Sequence, residues 1–311
     1  MAKQSLTELL KIYNSEDKAR EYFVQKRWAD GITCPHCGNH ESEKKIYTFK
    51  NGSTKGLFKC GACRKKFSVR TNTFMGDTHI PYSSWLTALF LITSHKKGIS
   101  SLRLAKDIGV TQKTAWFMLQ RINRLANDNN KKLRGIVEVD ETYVGGKKRN
   151  KHKNRRTDFY NKVQGDKAIM LGMIQRGNKL IMRKINKVDS KHIAPVIDNY
   201  ITPKAVVNTD ESPIYKKALG NRERKIVNHK ARQYVDGKNT TNRIEGMFSH
   251  YKRMVNGIHV FLSHKHLQDY TNMFCFRMNT RKLDEYERMD VLLEGVDNTR
   301  LMYLQAIGRF A

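Results

Sequence analysis

Acidic residues are scarce in this chain. Asp plus Glu number 29 against 59 Lys plus Arg, for a formal net charge of +30 over 311 residues. A small-molecule enzyme has no need of that imbalance. A polyanion binder does, because basic side chains neutralise phosphates and release counterions. Long hydrophobic runs are lacking too: the longest, WLTALFLI (Trp85–Ile92), falls far short of the roughly 20 residues that span a bilayer. The opening MAKQSLTELLKIY reads as an amphipathic helix, without the apolar stretch or cleavage site of a secretory signal. No glycine-rich phosphate loop and no adjacent Cys/His/Asp nucleophile set appears, so nothing points to ATP use or covalent catalysis. Charge alone would allow a membrane-surface protein, but nothing else supports it. The expectation is a cytoplasmic protein directed at nucleic acid, long enough for two or three domains.

Cysteine is also sparse. Of five, four fall in two pairs, Cys34/Cys37 in CPHCG and Cys60/Cys63 in CGAC. Such a set makes a poor disulfide framework and a good metal site. Two C-x-x-C knuckles separated by strand-like KKIYTFK and GLFKC resemble a zinc ribbon, in which four thiolates close a tetrahedron around one Zn²⁺. A redox dithiol is the competing reading, and two pairs in a basic chain favour zinc. His36 and His40 are taken as bystanders, and Cys275 as a buried small hydrophobe.

From Pro81 the pattern turns helical. YSSWLTALFLITSHKKG reads as one amphipathic helix ending at Gly98. In the following ISSLRLAKDIGVTQKTAWFMLQRINRL, Ser100 or Ser101 can cap a short helix and Thr111 a longer one, with a tight turn at Gly109–Val110. That is a helix-turn-helix layout. It places Gln112, Lys113 and Thr114 where a second helix would meet base edges. Small helical hairpins that bind nothing share the pattern, and the basic chain tips the choice to DNA.

From Gly135 the period changes to strands. GIVEVDETYVGG, KAIMLGMIQ, KLIMRKI, KAVVNTDES and RKIVNH read as strands, with DSKHIAPVIDNYI as a helix capped by Asp189 or Ser190. The order implies an α/β layer fold with a mixed sheet. Asp140 lies in an otherwise apolar strand and Asp210 follows AVVNT at a strand's end. Carboxylates there are costly unless compensated, and a divalent cation is the usual compensation. A turn cap at Asp210 and a lysine partner for Asp140 are the bland alternatives. Glu138, Glu141 and Glu211 are expected to play supporting parts at most. In NTTNRIEGMFSHYKR, helical spacing puts Asn242, Glu245, Ser249 and Lys252 on one stripe, and Met247, Phe248 and Tyr251 largely on another. The basic segment containing Lys147, Lys148, Arg149, Arg155 and Arg156 is either a phosphate grip or a solvated linker.

Taken in order, the ribbon, the helix-turn-helix, VEVDETYVGG, VVNTDES, HKARQYVDGKNTTNRIEGMFSHYKR and FRMN resemble a family of bacterial insertion-sequence transposases. The resemblance implies a ribonuclease-H-like DDE catalytic domain in which Asp140 and Asp210 are the first two catalytic acids. Lys252 becomes the lysine that follows the third catalytic residue, and Lys252 and Arg253 become DNA contacts. The third residue is Asn in some members and Glu in others, and both Asn242 and Glu245 are present. Implied cofactors are Mg²⁺ or Mn²⁺, as two ions, beside one structural Zn²⁺. Implied partners are the terminal inverted repeats and target DNA, bound by a homodimer or higher oligomer. The expected division is 1–75 (N-terminal helix and ribbon), 76–130 (helix-turn-helix), 131–283 (catalytic domain) and 284–311 (helical tail). The competing functions are a silent, DNA-binding regulator of the same fold and a structure-selective nuclease.

Overall fold

The computed structural model describes residues 5–126, 132–145, 167–177, 179–227, 240–260 and 262–308. The chain divides into two compact units, Met1–Ala126 with Lys282–Ala311, and Asn127–Arg281.

The first unit opens with two short helices rather than one, α1 (Leu6–Ile12) and α2 (Glu16–Arg27). Ser5 forms a capping box with Glu8, and Ser15 caps α2 by accepting the Lys18 N–H. A three-stranded antiparallel sheet follows, β1 (Ile46–Thr48), β2 (Leu57–Cys60) and β3 (Lys66–Ser68). Next come α3 (Tyr82–Ser94), α4 (Ser101–Ile108) and α5 (Gln112–Leu125). The α4–α5 pair has the capping expected of it: Ser100 accepts the Arg103 N–H, Gly109 is left-handed at φ 68°, and Thr111 accepts the Thr114 N–H. The third helix departs from expectation. It stops at Ser94, four residues before Gly98, and Trp85 and the run Ala88–Thr93 are all buried. An amphipathic reading fails because this helix is packed by neighbours on most of its circumference.

The second unit is a five-stranded mixed sheet between helices. Its strands are β4 (Ile136–Val144), β5 (Ala168–Gln175), β6 (Leu180–Ile185), β7 (Val206–Thr209) and β8 (Arg224–Ile226), in the spatial order β6-β5-β4-β7-β8. The β4–β5 and β5–β6 pairs are antiparallel; β4–β7 and β7–β8 are parallel. Its helices are α6 (Ser190–Tyr200), α7 (Ile214–Ala218), α8 (Asn242–Met254) and α9 (Leu267–Asn279). On one face Val137, Val139 and Leu171 pack with Ile193 and Ile197 of α6 and Tyr215 of α7. On the other, Met170 and Met182 pack with Ile244, Phe248 and Tyr251 of α8 and Phe274 of α9. Alternation along each strand supplies both faces. This is the ribonuclease-H-like arrangement, with three antiparallel strands continued by two parallel ones.

The chain then returns to the first unit as α10 (Glu285–Leu293) and α11 (Tyr303–Ile307). Asp290 of α10 accepts from the Tyr22 hydroxyl at 3.0 Å and pairs with Lys26 at 2.7 Å.

Candidate active site and zinc centre

The zinc centre is built locally. The Cys34–Cys63 and Cys37–Cys60 sulfurs are each 3.7 Å apart, and all four lie within 4.8 Å of one another. A tetrahedron with 2.3 Å Zn–S arms has edges of about 3.8 Å, so the quartet fits zinc without rearrangement. The residue after each second cysteine is left-handed, Gly38 at φ 76° and Arg64 at φ 60°. The two knuckles therefore share one turn geometry. His36 reaches the Lys66 carbonyl at 3.4 Å and His40 the Ser42 hydroxyl at 2.7 Å, so both have partners other than metal.

At the helix-turn-helix, Gln112 and Lys113 are exposed and Thr114 is half-buried. All three side chains are engaged within the unit. The Gln112 amide donates to the Ser101 hydroxyl at 2.9 Å, and Thr114 lies 2.9 Å from the Thr111 hydroxyl. The Lys113 ammonium sits 4.8 Å from the ring of Tyr303 on α11, which also meets Phe117 edge-on. Arg121, on the inward side of α5, donates to the Phe74 and Gly76 carbonyls.

The candidate catalytic acids come from adjacent strands. Parallel pairing of β4 with β7 matches Ile136 to Val206, Val137 to Val207 and Glu138 to Asn208. Carried on two residues, that register sets Asp140 opposite Asp210, across a strand spacing of about 4.8 Å. Both acids are half-buried. Asp140 Oδ1 accepts the Glu141 N–H at 2.8 Å, and Asp210 Oδ1 accepts the Ser212 N–H at 3.2 Å. Arg224 fixes the backbone there by donating to the Asp210 and Ser212 carbonyls, each at 2.8 Å. Burial pushes the Glu141 carboxyl up to about 7; Tyr215 opposes the rise, and the charges of Asp140 and Asp210 add to it. The Tyr215 hydroxyl is buried and influences that carboxylate without meeting full hydrogen-bond geometry. Three carboxylates thus share one electrostatic neighbourhood. Among the described residues, however, only the cysteine quartet converges to metal-ligand distances; Asp140, Asp210 and Glu245 do not close to that degree.

Glu138, expected to be peripheral, is the fully buried acid of β4. Its Oε2 accepts the N–H groups of Arg243 (3.0 Å) and Ile244 (3.3 Å), in the first turn of α8. Thr241, at the N-cap position, makes no side-chain cap. A carboxylate at a helix N-terminus meets both unpaired donors and a positive partial charge. The neighbouring Asn208, also fully buried, donates to the Thr240 carbonyl at 3.4 Å. Each strand therefore carries, two residues before its candidate acid, a buried polar residue tied to the start of α8. Gly172, paired with Asp140 on β5, completes the seat: a Cβ there would lie 2.6 Å from the Phe248 ring and 2.7 Å from Ile244. We expect Glu138→Leu to destabilise the protein by about 1–3 kcal/mol, because two helix donors lose their acceptor. Glu138→Gln should retain most of the stability. Denaturant melts of the two variants check this; equal melts would remove the cap from the account.

The α8 stripe lies as expected, with Asn242, Glu245, Ser249 and Lys252 exposed and Ile244, Phe248 and Tyr251 buried beneath. Glu245 Oε1 accepts from the Thr241 hydroxyl at 3.2 Å, and the exposed Arg253 donates to the Ser249 carbonyl at 3.2 Å. Lys147, Lys148, Arg149, Arg155 and Arg156 lie outside the described residues. Among the described residues, no helix is long and apolar enough to cross a membrane.

Comparison with known proteins agrees with this layout. Residues 132–279 match the ISXO2-like transposase domain, and residues 14–66 the transposase zinc-ribbon domain. The chain therefore joins a segment that matches a transposase zinc ribbon to one that matches an ISXO2-like transposase domain. An uncharacterized protein in transposable element ISH50 of Halobacterium salinarum is 27% identical over 135 residues, 43% of this chain and 44% of that protein. The match thus spans less than half of that relative's length. One chain of a cryo-EM structure, simian T-cell lymphotropic virus intasome in complex with PP2A regulatory subunit B56 gamma, is 13% identical at a TM-score of 0.27, covering 58% of this chain and 64% of that one.

Proposed function

We propose that the protein binds the ends of its own insertion sequence, cuts them in a divalent-metal-dependent reaction and joins them to target DNA. The observation that carries this reading is the parallel β4–β7 register, which runs to Glu138↔Asn208 and, extended two residues past it, brings Asp140 beside Asp210, inside a transposase-domain match. Magnesium needs only one or two carboxylates, with water and substrate oxygens completing its shell. Two half-buried aspartates, beside a third carboxyl raised chiefly by burial and further by their charges, are a donor set of that kind. Cations held there would activate the attacking oxygen and steady the leaving one in an in-line displacement. Asp140 and Asp210 would hold and orient them, and the Arg224 clamp keeps the Asp210 backbone in place. Lys252 and Arg253, exposed on α8, offer positive charge to phosphates. DNA affinity itself comes from the basic surface, with Gln112, Lys113 and Thr114 contributing at α5. The working form is a homodimer or higher oligomer on double-stranded ends in the cytoplasm, associated with the nucleoid.

For the third position we assign Glu245 over Asn242, since a carboxylate suits magnesium better than an amide. Both are exposed in the first turn of α8, next to the Glu138 cap. The test is cleavage of end-bearing duplex by Glu245→Gln and Asn242→Ala across Mg²⁺ and Mn²⁺ concentrations. We expect Glu245→Gln to lose cleavage, with partial recovery in Mn²⁺. Normal cleavage by Glu245→Gln and loss in Asn242→Ala would give the place to the amide. Normal cleavage by both would make the stripe a solvated face.

A further inference from the structure

The ribbon has a second side that zinc binding does not use. Its inner face is a small aromatic core, where Phe58 stacks on Phe67 at 5.5 Å and Trp28 meets Phe58 edge-on at 5.3 Å. On the outer face, pairing aligns Tyr47 with Lys59 and Lys59 with Lys66 in one cross-strand row. Tyr47 is 50% exposed, and both lysines are exposed. Beside this row lies an open groove of ≈ 440 Å³ lined by Tyr47, Phe49, Lys59, Cys60, Gly61 and Arg64, within the size range of small-ligand sites. Two cations hang over the rings: Lys45 is 5.2 Å from the Tyr47 centroid, and Lys66 of the row is 5.5 Å from that of Phe49. Among the described residues, no carboxylate lines the groove.

We propose that this groove binds unpaired bases of DNA, stacking them on Tyr47 and Phe49 while Lys45, Lys59, Arg64 and Lys66 take the flanking phosphates. Two rings on the open face of a basic sheet are the stacking platform that sequence-tolerant single-strand binders use. An exposed ammonium–ring contact is worth less than stacking of a base. An entering base therefore displaces the lysines from the ring faces, and they turn onto its phosphates. Duplex DNA, with its bases already stacked on each other, would find only the cations. The inference rests on the transposase reading solely for the choice of DNA, and it uses none of the candidate catalytic residues.

The experiment uses the full-length protein and three fluorescent probes read by anisotropy: an eight-residue oligothymidylate, a blunt duplex, and the same duplex with a short 3′ overhang. Zinc content is checked in every variant, so that loss of the ribbon is not mistaken for loss of stacking. Tyr47→Ala is expected to weaken the single-stranded and overhang probes about tenfold while leaving the blunt duplex within about twofold. Tyr47→Phe should bind as the unaltered protein does. Lys59→Gln should flatten the salt dependence for the single strand by about 0.7 in log–log slope. Unchanged single-strand binding by Tyr47→Ala would overturn the proposal, as would an equal loss on all three probes, which would mark the face as a duplex-backbone contact. Cleavage surviving in Asp140→Asn would defeat the active-site assignment and leave these binding results standing.

Discussion

Asp140→Asn and Asp210→Asn will each reduce cleavage of element ends by about a thousandfold or more. On the proposed reading, several kcal/mol of transition-state stabilisation would depend on cations that these carboxylates would hold, and each 1.36 kcal/mol is a factor of ten in rate. An asparagine keeps the shape and loses the charge, so the β4–β7 register and the Glu138 cap on α8 survive. End binding should change by less than about threefold, because affinity resides in basic surface elsewhere. Lys113→Ala should do the reverse. It removes one phosphate-reaching cation and its contact with Tyr303, weakening binding across sequences and lowering the salt slope by about one. Gel-shift titrations beside cleavage time courses separate the two effects. Full cleavage by either aspartate variant would remove Asp140 and Asp210 from the chemistry.

The second large effect is expected from zinc. One ion per chain should be found, and stripping it with a chelator, or Cys60→Ser, should melt the ribbon. Apparent binding energies of structural zinc sites run to about 10–16 kcal/mol near neutral pH. The core beneath, Ile46, Phe58, Phe67 and Trp28, is too small to hold the fold alone. Trp28, against Phe58 and Phe67 and with the Arg27 guanidinium 4.7 Å from its ring, reports the loss through near-ultraviolet dichroism. Added magnesium should not restore the signal, since thiolates favour softer metals. A zinc-free native protein, or an unchanged signal in Cys60→Ser, would contradict this.

What could be read from the sequence was what neighbours in the chain decide. Ser100, Gly109 and Thr111 act within four residues of themselves, so the α4–α5 turn was legible from its caps. The four cysteines needed only their spacing. Strands β4 and β7, the acids that follow their apolar runs, and the exposed stripe of α8 were legible from alternation and helical period. The missing parts depend on distant partners. The free donors at the start of α8 go to Glu138, more than a hundred residues earlier in the chain. Likewise Asp140 looked like the buried acid of its strand, whereas Glu138 holds that place because a helix terminus compensates it. The short elements β3 and α7 are below the length at which period is informative. Tyr215 and Arg224, which steady the candidate site, carry no motif.

The division of the chain also sets an order of completion during synthesis. The transposase-domain unit is one continuous stretch, Asn127–Arg281, whereas the unit that carries the ribbon and helix-turn-helix still needs Lys282–Ala311. At about 5–20 residues per second, the first 126 residues wait on the order of ten to forty seconds for α10 and α11. Until then Tyr22 and Lys26 lack Asp290, and Phe117 and Lys113 lack Tyr303. The nascent chain can therefore finish its transposase-domain unit before the unit that carries the ribbon and helix-turn-helix. A product truncated after α9 would carry the former intact and leave the latter without its closing strap.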